Sequence, residues 1–157
     1  MKLLKKITIL LCFLSLIAFV SCSAEDKSGV KEKDNTEEGN FYPPFGDYKY
    51  REIGYSSSGE DLTITKVSKV DENTTKIKGY AARSDGAAKR FNFDISKWKK
   101  TIKDGKDIKS EAVNINIVVE PGLTDISIVY YYDSSTLEIT FKSNSGTDFL
   151  FKGTKQP

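Results

Sequence analysis

The chain has 157 residues, with 24 lysines and arginines against 22 aspartates and glutamates, no histidine, and two cysteines. Without histidine the commonest general base and metal ligand is missing, and a net charge of +2 gives no argument for binding a polyanion such as nucleic acid. Both cysteines, Cys12 and Cys22, fall near the amino end, so everything after them lacks disulfide and thiol chemistry.

The first segment is cationic, Met1-Lys2-Leu3-Leu4-Lys5-Lys6, and the second, 7–20, is apolar apart from Thr8 and Ser15. Helical residues rise about 1.5 Å each, so this stretch reaches roughly 21 Å, short of a bilayer core of about 30 Å. It is apolar all round and stops at Ser21-Cys22-Ser23, which predicts an export signal over 1–21 rather than a membrane span or a core helix. Phe19-Val20-Ser21-Cys22 resembles the lipobox of bacterial lipoproteins, with Phe19 where leucine is usual. The resemblance implies cleavage before Cys22, a diacylglyceryl thioether on its sulfur and an acylated amine, hence a protein held to the cell envelope by lipid. Ser23 replaces the aspartate that retains some lipoproteins at the inner membrane, so the resemblance further implies the outer membrane. Loss of Lys2, Lys5 and Lys6 with the signal leaves 21 cations against 22 acids, a net charge of −1.

Residues 23–40 carry six acids, three lysines and a single large aliphatic side chain, Val30. Such a composition buries too little to order itself, and 22–40 is expected to be a lipidated tether spanning roughly 20 to 25 Å. The folded part is expected over 41–157, a length that suits one domain with one core.

Within that domain apolar and polar residues alternate repeatedly, the mark of half-buried strands. Strands are predicted over 46–53 with Tyr48 and Tyr50 inward, 61–67 with Leu62 and Ile64 inward, 75–82, and 89–95 with Phe91 and Phe93 inward. Further strands are predicted over 113–119 with Val113, Ile115, Ile117 and Val119 on one face, 126–132 with Ile126, Ile128, Tyr130 and Tyr132 inward, 137–142 and 147–153. Short connections such as Asp71-Glu72-Asn73, Asp85-Gly86 and Asn144-Ser145-Gly146 carry turn chemistry and imply antiparallel hairpins. The exception is 96–105, where Ser96 offers an N-cap, Ile95, Trp98 and Ile102 recur at near-helical spacing and Gly105 a stop, predicting a short helix. The alternative is an exposed strand ending in an Asp104-Gly105 hairpin.

The expected fold is therefore mainly β, about eight antiparallel strands in an up-and-down barrel or two packed sheets, with one short helix mid-chain. With Gly46-Asp47-Tyr48 near its first strand, the layout weakly resembles lipocalin-like barrels, although tyrosine stands where those barrels place tryptophan and the helix falls mid-chain rather than after the barrel. That resemblance implies an interior able to hold a small apolar ligand.

Catalysis finds little support, because a serine nucleophile has no histidine beside it, no glycine-rich phosphate loop is present, and no Cys/His metal spacing exists. No enzyme, no cofactor and no metal are expected, and Asp71, Asn73 and Thr75 read as a turn rather than a calcium loop. Tyr48, Tyr50, Tyr130 and Tyr132 are candidates to line a pocket, with core filling as the alternative. Trp98, ringed by Lys97, Lys99, Lys100, Lys103, Lys106 and Lys109, and the outward Tyr131 are candidates for a partner surface. Two expectations follow: a lipid-anchored binding module that captures a small apolar ligand, or an interaction protein that meets a protein partner through an exposed β-surface.

Overall fold

Alternation of buried and exposed side chains carries the chain round a closed wall of strands. The computed structural model describes residues 34–50, 59 and 61–157. Among them are β1 (Asn35–Gly39), β2 (Gly46–Lys49), β3 (Ile64–Lys69), β4 (Thr75–Ala82), β5 (Ala88–Lys103), β6 (Lys106–Val119), β7 (Thr124–Tyr131), β8 (Thr136–Lys142) and β9 (Asp148–Lys155). The expected signal, the lipidation site Cys22, the tether before Asp34 and the 51–53 end of the first predicted strand lie outside the described residues.

From β2 to β9 every strand pairs antiparallel with its neighbour in sequence, and β9 returns to β2 through Tyr48↔Lys155 and Lys49↔Thr154. The result is an eight-stranded antiparallel barrel, which removes sheet edges by closure. Because β2 is short, Ala82 at the end of β4 meets Leu150 of β9 directly.

The interior is occupied by side chains. Phe91 and Phe93 stack at 5.4 Å, Phe141 meets Phe91 edge-on at 5.9 Å and stacks on Phe149 at 5.5 Å, and all are buried. Val67, Ile77, Ile128, Leu137 and Ile139 fill the space around them. Aromatic pairs of this geometry add about 0.5 to 1.5 kcal/mol beyond their buried area, which suits a domain with no disulfide in its described part.

Four expectations are corrected. The segment 96–105 is no helix but the end of β5 and its turn, where Lys103 faces Lys106 and Asp104 and Gly105 both take positive φ, the hairpin alternative. Register shifts on either side of Lys97 insert a bulge, so buried Ile95 and Trp98 stand three residues apart, and a bulged strand imitates helical spacing. In β3 the phase is opposite to that expected, since Thr63, Thr65 and Val67 are buried while Leu62 and Ile64 are only partly covered. On β6, Val113 is exposed, because the register jumps from Trp98↔Ala112 to Lys97↔Asn114 and leaves it bulged out.

The fourth correction lies in the tether. Its last residues form β1, paired along β5 from Asn35↔Ile102 to Gly39↔Trp98. Its side chains are mostly exposed, so burial gives no sequence signal; backbone pairing and the ion pairs Glu38–Lys97 and Glu37–Lys100 hold it. The expected turn at Asp71 forms, its carboxylate accepting from the Asn73 and Thr74 amides at 2.8 and 2.7 Å.

Candidate functional site

Strand alternation puts Tyr48 on β2 and Tyr130 on β7 inside the barrel, and the curvature of the wall brings them together. Their rings meet edge-on at 6.2 Å, and Tyr132 continues the chain of contacts at 5.1 Å from Tyr130. Tyr50 stands apart from these three, packed at 5.6 Å against Phe151. Tyr48 is 0% and Tyr130 3% exposed, and the Tyr48 hydroxyl donates to the Pro44 carbonyl at 2.8 Å. Burial pushes the Tyr48 phenol well above its ordinary pKa, with a smaller contribution from Tyr130. Three of the four pocket candidates are thus gathered, but as packed side chains, with the Tyr48 hydroxyl bonded to the backbone of the preceding segment.

That segment lies against side chains from β5 and β6. The Phe41 carbonyl accepts from Ser110, and the Lys100 ammonium sits 4.5 Å from the Phe41 ring centroid. Lys100 also pairs with Asp107 at 3.1 Å, and the hydrogen bond to Asp107 is the chief reason its pKa is raised. Of the lysines expected to make a basic patch, Lys97, Lys100 and Lys109 are bound to carboxylates. Trp98 is 1% exposed, so its indole packs the interior and presents nothing to a partner. Tyr131 is half-buried beside Lys109, where β6 and β7 pair.

What remains open is the outer wall. The ladder between β6 and β7 holds only from Lys109↔Tyr131 to Glu111↔Val129; beyond it Ala112–Val119 and Thr124–Ile128 pair with β5 and β8 but not with each other. Along this opening Val113 and Val118 are 49% and 42% exposed. A groove of about 690 Å³ lies where the β4–β5 turn approaches β8 and β9, bordered by Arg83, Glu138, Thr140, Asp148 and Leu150. A smaller one of about 240 Å³ lies outside β3, β4 and β5, bordered by Asp61, Ile64, Lys66, Lys78, Tyr80 and Arg90.

Tyr50, expected to face inward and named among the pocket candidates, borders the larger groove, and Ile64, also expected inward, borders the smaller one. The other groove side chains are not singled out by sequence, because only the strand register shows which outward residues become neighbours. Among the described residues no three histidine, cysteine, aspartate or glutamate side chains gather to hold a metal ion. No protein-family model matches the chain, and no curated protein or solved structure matches it, so the chemistry of this wall has to stand on its own residues.

Proposed function

We propose that the protein is a lipid-anchored lipoprotein of the cell envelope, placed at the outer membrane, whose barrel is a non-enzymatic binding module working through its outer wall. The observation that carries the choice of wall over interior is the packing of Tyr48, Tyr130 and the phenylalanine cluster, which leaves those two tyrosines no free face toward a central ligand. The export-like amino end and the lipobox-like Phe19-Val20-Ser21-Cys22 support the anchor. The lack of histidine anywhere in the chain, and of cysteine after Cys22, supports a non-catalytic role.

A protein partner fits the β6–β7 opening. Val113 and Val118 offer exposed apolar side chains, and the β6 and β7 backbone left unpaired between them can take hydrogen bonds from an extended segment. The experiment is titration of the full chain in detergent-free nanodiscs with an apolar fluorescent probe. No saturable one-to-one binding is expected; saturable binding weakened by Tyr130→Ala would restore the interior pocket and sink the outer-wall reading.

Anchoring has its own test. Cys22→Ser should abolish incorporation of labelled fatty acid and release the protein from membranes, because the several chains of a lipoprotein hold firmly where a single chain binds marginally. Membrane retention unchanged in that variant would refute the anchor and leave the reading of the barrel wall standing.

A further inference from the structure

We propose that the outer face of β3, β4 and β5 is an oxyanion-binding site built on Lys66, Lys78 and Arg90, taking a phosphate, sulfate or carboxylate carried on a unit about the size of one sugar. Lys66 and Lys78 stand directly opposite each other across β3 and β4. Arg90 lies on the same face, opposite Tyr80 and two residues from Asn92, the partner of Lys78. All three cations are exposed and border the groove of about 240 Å³.

Two like charges directly opposite in an antiparallel pair repel and lower stability. Lysines often guard sheet edges, but that explanation fails here, since Lys66 is paired on both sides, to Asp47 and Lys78, and Lys78 to Lys66 and Asn92. Elsewhere on the wall several lysines have acidic partners: Lys76 with Asp94, Lys142 with Asp125, Lys152 with Glu138. Among the described residues no carboxylate pairs with Lys66, Lys78 or Arg90. Asp47, although opposite Lys66 in register, makes no ion pair with it. Asp61 borders the groove, but its Oδ1 accepts from the Thr63 amide at 2.9 Å and from the Thr63 hydroxyl.

Three cations held together at a cost to the fold, with no ion-paired acid among the described residues and only the Thr63-bound Asp61 beside them, leave a place where an anion completes the charge. The guanidinium offers a planar fork for an oxyanion and the two ammonium groups add point charges. Ile64 and Tyr80 supply carbon walls for the unit that carries it. The site lies on other strands than the β6–β7 opening and does not depend on the lipid anchor.

Backbone amide signals of the isotope-labelled full chain in detergent micelles provide the test. The probes are inorganic phosphate, a hexose phosphate, a hexose sulfate, glucuronate, and vesicles of anionic or neutral phospholipid. Saturable shifts are expected at 64–66, 78–80 and 90, tighter for a sugar-borne anion than for inorganic phosphate. Lys78→Gln and Arg90→Gln should each weaken binding about tenfold, the scale of one charged hydrogen bond, while Lys142→Gln leaves it unchanged. Without ligand, Lys78→Gln should raise the thermal midpoint, because it removes the repulsion with Lys66. Absence of saturable shifts with every soluble anion overturns the proposal, as does a response to anionic vesicles alone. A Lys78→Gln variant that melts lower than its parent would make the lysine structural and overturn it equally.

Discussion

Thr65 and Gly79 show how a single position is fixed by the close approach of two strands. Thr65 on β3 is fully buried, and a Cβ built on Gly79 would collide with its hydroxyl and stand 2.9 Å from its Cα. Backbone cannot step aside as the end of a flexible side chain can, so relief requires β3 and β4 to separate. Overpacking of this kind costs about 1 to 3 kcal/mol. Gly79→Ala is therefore expected to lower unfolding stability by that amount in urea titration, with the slope unchanged. A variant as stable as its parent would mean that the strands are further apart than described. The same contact explains the phase of β3: small threonines suit the inward positions at this corner, whereas Leu62 and Ile64 would demand more room. Hydrophobicity alone votes for the bulkier pair, and so the sequence pattern points to the wrong face. The cation cluster has the same character. Lys66, Lys78 and Arg90 are readable one by one as outward residues, but their meeting depends on the register Lys66↔Lys78 and Tyr80↔Arg90, which no local pattern states.

At the scale of elements, regular alternation was legible and interruptions of it were not. Tyr48, Phe91, Phe93, Leu137, Ile139 and Phe141 alternate with polar neighbours, and each is buried as that alternation requires. The strand β5 runs on from Ala88 to Lys103 through a bulge near Lys97 that moves the inward face by one residue. A period of two with one residue added becomes a spacing of three, and near Ser96 and Gly105 that spacing imitates a capped helix. Val113 on β6 faces solvent for the same reason, from the partner side of the same irregularity. Bulges bend a strand and increase its twist, which a long strand needs in order to serve a curved wall. In β1 the missing signal is different. Its side chains bury little, and the strand exists because β5 beyond Ile95 has a free edge there that β4 does not reach. Composition reports what a segment can bury, and it is silent on a segment that contributes mainly backbone.

For the whole molecule, closure of eight strands leaves a choice between a hollow and a filled interior, and the phenylalanines decide it. Phe141 is 1% exposed and touches Phe91, Phe93 and Phe149, from β5 and β9, so it ties opposite parts of the wall together. Removing its ring deletes transfer free energy and leaves an apolar void that close-packed neighbours fill only in part, at about 3 to 5 kcal/mol. Domains of this size have about 5 to 15 kcal/mol in all, so Phe141→Ala should remain folded in buffer but unfold at much lower urea. A void of that kind stays dry and accepts a small apolar molecule. Benzene should therefore raise the thermal midpoint of Phe141→Ala and leave the parent unmoved, with the smaller truncation Phe141→Leu as the fallback if the alanine variant does not fold. Equal stabilisation of parent and variant by benzene would reveal a cavity already present, and the interior would then compete with the outer wall as the place where a ligand binds.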